Sequence, residues 1–289
     1  MSVHRFDYRC LMFYLVAFVP LCVTKTDGDE WSELKPGVSH QTNIIPPPSS
    51  ISESERKERG TFRIINGTGA SISEFPYLIS IQRIKGKLRE HICGGTFIST
   101  TWILTAAHCL QDESPKKTLV RAESTFHDKG GILLRVGQFV EHPRFNSVTK
   151  DYDCGLIRLG QEFHRAVPVT LKAGIKRFPP GEMCTVMGWG RTARASNSQR
   201  VRKLSVPIVK QRTCKEAYVV NDVTKRMLCA GFAAGGRDSC DGDSGGPLIC
   251  RSIQAGIVSW AIGCAEKNRY GVYSDMSAMR RWIRNITNV

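Results

Sequence analysis

The sequence has no glycine-rich nucleotide loop, no His/Cys cluster at metal-ligand spacing and no solenoid repeat. These absences point away from nucleotide-dependent transfer, a dedicated metal centre and repeat-based scaffolding. Acidic residues are scarce: 26 Asp+Glu stand against 41 Lys+Arg, a formal net charge of +15. Hydrophobic residues at 41% and charged residues at 23% exclude a disordered or fibrous chain. The length of 289 residues suits one or two domains.

A long apolar run is also missing at the start. Leu11 to Val23 spans 13 residues, whereas a bilayer-spanning helix needs roughly 20. With Arg5 and Arg9 before it, this run reads as a secretory signal over residues 1–24, cleaved after Thr24. An exported, extracellular protein is expected, and with it disulfides. Two of the 11 cysteines, Cys10 and Cys22, fall in the signal. The nine that remain allow four bridges and one spare thiol.

Residues 25–63 contain no cysteine and little that could build a core. Pro46-Pro47-Pro48 and the polar run Ser49–Arg59 predict an extended, exposed segment. It ends at Arg63, an accessible basic residue suited to proteolytic nicking. Residues 1–63 hold 8 basic and 8 acidic side chains, so the full +15 lies in residues 64–289.

From Ile64 onward the chain has short apolar runs and little helical periodicity. Tyr77–Ile81, Thr101–Thr105, Ile132–Val136, Gly155–Leu159, Thr185–Trp189, Val206–Val209, Pro247–Cys250 and Ala255–Trp260 are separated by Gly, Pro, Asn, Asp and Ser. This predicts an all-β sandwich or barrel. Met276, Met279, Ile283 and Ile286 lie three or four residues apart, which predicts a short C-terminal helix.

Three segments carry candidate chemistry. They are Thr105-Ala106-Ala107-His108-Cys109, Asp151-Tyr152-Asp153-Cys154-Gly155-Leu156, and Asp238-Ser239-Cys240-Asp241-Gly242-Asp243-Ser244-Gly245-Gly246-Pro247. Taken singly, the first two are weak. The third is more specific, because its glycines let backbone N–H groups approach a reacting carbonyl beside Ser244.

In these segments the chain resembles the trypsin and chymotrypsin family of serine endopeptidases, from Ile64 to the C-terminus. The order His, Asp, Ser is that family's order. The resemblance implies two packed six-stranded antiparallel β-barrels, at about 64–165 and 166–275, with a short C-terminal α-helix. It implies that Ser244 is the nucleophile, His108 its base and Asp153 the group that orients the imidazole. Gly242 and Ser244 would supply the oxyanion-hole N–H groups. Asp238 matches the floor of the primary specificity pocket and implies cleavage after Arg or Lys, with Ser259, Ala261, Gly271 and Tyr273 around it. Ser259, before Trp260, also matches the serine that supports Asp153. Ala261 departs from the Gly usual at the pocket mouth, and Asp241 from the Gln usual at the rim.

The same resemblance makes Arg63–Ile64 an activation site, with the new Ile64 amine pairing with Asp243. Before cleavage His91 would hold Asp243. Eight cysteines allow about 105 pairings; the resemblance selects Cys93–Cys109, Cys184–Cys250, Cys214–Cys229 and Cys240–Cys264. Cys154 is then left over as a small buried hydrophobe. Only Glu123 and Asp128 lie between Arg121 and Val136, too few acids for a calcium loop, so no metal and no cofactor are expected. Asn66 and Asn285 are glycosylation sequons.

Protein or peptide substrates with Arg or Lys before the scissile bond are the expected partners. Protein inhibitors and polyanions are further candidates, specific nucleic acid is not, and a monomer is expected. The net charge supports a competing role: a basic polyanion- or surface-binding homologue with little or no proteolytic activity.

Overall fold

A computed structural model describes residues 67–174, 176–190, 198–218, 223–236, 242–263 and 265–289. Arg63, Ile64, Asp238, Cys240, Asp241, Cys264 and the sequon Asn66 lie outside the described residues.

The first barrel is built from β2 (Leu78–Lys85), β3 (Leu88–Phe97), β4 (Trp102–Thr105), β5 (Thr118–Ala122), β6 (Ile132–Glu141) and β7 (Gly155–Leu159). They close in the order β2-β3-β4-β7-β6-β5, all antiparallel. The second is built from β9 (Met183–Gly188), β10 (Arg202–Val209), β11 (Met227–Ala230), β12 (Pro247–Cys250), β13 (Ile253–Trp260) and β14 (Gly271–Asp275). Its order is β10-β11-β14-β13-β12-β9, closed by pairing of β9 with β10. Two two-residue strands attach outside the rings. β1 (Thr68–Gly69) extends β10, and β8 (Thr170–Leu171) runs parallel to β13.

The second barrel shows why these segments are strands. Along β10 the side chains alternate, with Arg202, Leu204, Val206 and Ile208 buried and the residues between them more exposed. A period of two is the pleat of a half-buried strand. Val186, Leu248, Val258 and Tyr273 meet Leu204 and Val206 inside the barrel. A larger core cluster runs through the first barrel and includes Met187, Trp189 and Ile257 of the second.

Two α-helices are present among the described residues. α1 (Gln211–Ala217) is tied through Cys214 to Cys229 of β11. At seven residues it is too short to print a readable periodicity. α2 (Met276–Thr287) is N-capped by Asp275, whose side chain accepts from the Ser277 N–H at 2.9 Å. Met276, Met279 and Ile283 are fully buried in the larger cluster. Ile286 differs from expectation: it is 39% exposed, and Thr287 turns inward instead. One more residue of rotation follows Ile283 by four rather than three, which keeps Thr287 on the buried stripe. Among the described residues no helix is long and apolar enough to cross a membrane.

Candidate active site

His108 sits in a 3-10 turn, Ala107–Cys109, directly after β4. Cys109 bridges to Cys93 of β3, which ties the turn to the barrel wall. The loop before β7 brings Asp153 alongside. Gly155 makes this approach physically possible, since a Cβ there would lie 2.7 Å from Leu110 and 3.1 Å from the Ala106 carbonyl oxygen.

Asp153 is fully buried and heavily bonded. Its Oδ1 accepts from the His108 backbone N–H at 2.9 Å, and Oδ2 from His108 Nδ1 at 2.6 Å. The Ser259 hydroxyl donates to Oδ2 at 2.5 Å, and the Ser274 hydroxyl donates to the Asp153 carbonyl at 2.6 Å. An ionised carboxylate only accepts, so a neutral imidazole carries its proton on Nδ1 and leaves Nε2 its lone pair. The Ser259 contact depends on a register break. Val258 pairs with Tyr273 and Trp260 with Val272, leaving Ser259 unpaired between them. Such a bulge re-aims one side chain, here out of the second barrel and onto Asp153 of the first. Glu141 of β6 is held above the usual carboxylate range, by partial burial and then by the charge of Asp153.

Ser244 lies in the loop entering β12, between Gly242 and Gly245, at φ 92° and 77°. Its carbonyl accepts from the Gly94 N–H at 2.8 Å. Gly245 donates to the Val258 carbonyl at 2.8 Å. A Cβ on Gly245 would overlap Thr105 Oγ1 and sit 2.6 Å from the Gly94 carbonyl. The loop is thereby pressed onto Thr105–Ala106, two residues before His108. Ser244 is half-buried, and no hydrogen bond joins its hydroxyl to His108 Nε2 among the described residues.

Asp243 is fully buried in a slot between two glycines. Its Oδ1 accepts from the Gly190 N–H at 2.8 Å, and a Cβ on Gly190 would lie 2.5 Å from Oδ2. His91, expected to hold Asp243, has other partners. Nδ1 meets the Ser80 hydroxyl at 2.8 Å and Nε2 the Gly242 carbonyl at 2.9 Å. Both ring nitrogens are thus spent one residue short of Asp243. Burial above all, and then the neighbouring His127, pushes the His91 pKa down to about 4, against the opposing pull of the Gly242 carbonyl. The neutral ring donates through Nε2 and accepts through Nδ1, which fits both partners.

Of the residues named around the specificity pocket, Ser259 and Tyr273 are buried and Gly271 opens β14 opposite Ala230. Ala261 follows β13 and is partly exposed. Three expected disulfides are present: Cys93–Cys109, Cys184–Cys250 and Cys214–Cys229. Both cysteines of the fourth lie outside the described residues. Cys154 is a free, fully buried thiol whose pKa burial raises well above the ordinary value. Cys93, His108 and Cys109 cluster as metal ligands would, but the two sulfurs are bonded to each other.

The 123–131 loop holds a cation of its own. The buried Arg121 guanidinium donates to the Gly130 carbonyl, and to that of Asp128 at 3.3 Å. In the sequence this loop is marked only by its shortage of acids, and nothing local marks Ser274, which lies 121 residues from Asp153.

Two antiparallel barrels with a buried aspartate on a histidine, facing a Gly-Asp-Ser-Gly-Gly loop, define a serine endopeptidase. Residues 64–283 match the family model for trypsin, and the chain belongs to that family. It is 38% identical over 242 residues to the vitellin-degrading protease of Bombyx mori, covering 82% of this chain and 90% of that protein. It is 36% identical over 236 residues to trypsin 5G1 of Aedes aegypti, covering 80% and 87%. Transmembrane protease serine 9 of Rattus norvegicus is 36% identical over 244 residues, but the match spans only 22% of that longer protein. The protein is a serine endopeptidase, a hydrolase acting on proteins.

Proposed function

We propose that this protease cleaves after Arg or Lys through His108, Asp153 and Ser244. One observation carries the reading: His108 Nδ1 lies 2.6 Å from a fully buried Asp153, which leaves Nε2 to act as the base for Ser244. In this mechanism Nε2 takes the Ser244 proton as the hydroxyl attacks the scissile carbonyl. Asp153 stabilises the imidazolium that forms. The imidazolium then gives its proton to the leaving amine, and water hydrolyses the acyl-enzyme by the same route. The N–H groups of Gly242 and Ser244 hold the developing oxyanion, each donor worth roughly 3 kcal/mol.

Arg or Lys specificity rests on Asp238, six residues before Ser244. A buried carboxylate is costly unless a cationic side chain meets it. Ala261 adds a methyl group at the mouth and lowers efficiency more than it alters charge preference. Residues 1–24 are a secretion signal, 25–63 a propeptide and 64–289 the peptidase domain. Three disulfides support an extracellular site of action. Cleavage after Arg63 frees the Ile64 amine to pair with Asp243, whose slot between Gly188 and Gly190 admits no larger side chain on either glycine. The Arg63→Gln protein is expected to stay nearly inactive.

A peptide-library profile on the activated protein tests the specificity. Cleavage after Phe or Leu as fast as after Arg overturns the assignment of Asp238. Failure of a covalent serine titrant to label Ser244 favours the competing, non-proteolytic binding role.

A further inference from the structure

The second barrel grips the Asp153 loop at a point the mechanism above does not use. We infer that Arg226 and Asp151 form a strut between the barrels that positions Asp153, with Arg226 as the positioning residue. This rests on the proposed role of Asp153.

Asp153 is reached through two residues in the left-handed region, Lys150 at φ 57° and Tyr152 at φ 55°. Neither is glycine, so each must be held there by its surroundings. Asp151 between them supplies the hold. Its carboxylate accepts from the Tyr152 N–H at 3.1 Å and from the Thr224 hydroxyl at 2.8 Å. Arg226 adds a fork: Nε to Oδ1 at 2.8 Å and Nη2 to Oδ2 at 2.5 Å. Arg226 immediately precedes β11, in the second barrel.

The same guanidinium lies 4.7 Å from the centre of the Tyr152 ring. That ring also stacks on His142 at 4.6 Å, and Arg144 lies 4.7 Å from it. Arg226 therefore fixes both the carboxylate and the ring of the two residues before Asp153. Partial burial works against the charge on Asp151, yet Arg226 and Thr224 together hold its carboxyl below the usual range. Arg226 is correspondingly raised, chiefly by its bond to Asp151. The Arg226 backbone carbonyl also accepts from the Asp275 N–H at 2.8 Å, which seats the strut on the N-cap of α2.

Only a planar fork can bond a carboxylate twice and lie over a ring at once, so lysine is not an equivalent. Losing the strut frees Lys150–Tyr152 to relax, and Asp153 turns off the axis of His108. The specificity pocket is untouched, so the defect falls on kcat and leaves KM alone.

The test uses activated full-length protein and a small amide substrate with Arg before the scissile bond. Active sites are counted with a guanidinobenzoate ester that acylates serine, so that rates are per competent molecule. Arg226→Ala and Asp151→Asn are expected to lower kcat per site by about 10- to 100-fold, with KM within about twofold. Arg226→Lys does not restore it, and the double variant is no worse than Arg226→Ala. Two controls keep wild-type kcat per site: Arg212→Ala, which removes an exposed pair with Glu216, and Ile283→Ala, which destabilises without touching the loop. Wild-type kcat per site in Arg226→Ala overturns the strut. Should that variant not fold, the same result in Asp151→Asn and Arg226→Lys overturns it. An unmodified enzyme that the ester fails to acylate overturns the proposed mechanism and the strut together. An enzyme that is acylated but indifferent to Arg226 removes the strut alone.

Discussion

Acidification is expected to weaken the fold through His91. In the folded protein its pKa stands at about 4, against an ordinary value of 6.5. The unfolded chain therefore takes the proton first. Stability from this residue is complete above pH 6.5 and is lost as pH falls from there towards about 4. At the lower end the loss amounts to ~3 kcal/mol, a large part of a typical folding free energy. The physical cause is visible: the ring is 4% exposed, and its Nδ1 accepts from Ser80 only while unprotonated. Urea unfolding followed by tryptophan fluorescence across this range measures the effect. A Ser244→Ala background, which removes the proposed nucleophile, guards against self-digestion. His127 and His142 are also lowered by burial, so the informative quantity is the difference between this protein and its His91→Gln derivative. Glutamine can still donate to the Gly242 carbonyl but does not titrate. The same pH dependence in both proteins, within about 0.5 kcal/mol, would refute the reasoning.

Other expectations follow from packing. Ile283→Ala empties a fully buried site under α2 and should cost about 2–5 kcal/mol in chemical denaturation. Gly245→Ala forces a Cβ onto Thr105 and Gly94 at a φ of 77°, and should cost more than about 4 kcal/mol or prevent recovery of folded protein. Arg121→Gln withdraws the guanidinium from the carbonyls of Asp128 and Gly130 and should lower the melting temperature by several degrees, roughly 2–4 °C per kcal/mol. A chelator should leave the melting temperature of the unaltered protein unchanged; a fall on chelation would overturn the expectation that no metal is bound.

The parts of the site legible in the sequence are those whose chemistry is compressed into a few neighbouring residues. Gly242–Pro247 shows its loop geometry directly, because two positive φ angles and a backbone contact demand glycine. The parts not legible arise from residues far apart in the chain. Arg226 and Asp151 are 75 positions apart, and neither has a local pattern that marks it. β3 was missed because Arg89, Glu90, His91, Gly94 and Gly95 interrupt its apolar pattern. Those interruptions are its purpose: His91 reaches Gly242, and a Cβ on Gly94 would lie 3.1 Å from Gly246. Strands β5, β11 and β14 were passed over too, although β4, β7 and β12 are as short and are legible. The His91–Asp243 pairing failed for a related reason, since a side chain's partner is fixed by a neighbouring backbone carbonyl and by Ser80 across the β2–β3 pair.

The hydroxyls of Ser259 and Ser274 come from one barrel, while the aspartate they hold belongs to the other. A nascent chain that has folded only its first half has His108 and Asp153 but lacks both hydroxyls that steady the aspartate, and has no Ser244 beside them. Proteolytic competence is thus the last property to emerge during biosynthesis. The cell's own folding machinery meets a harmless intermediate.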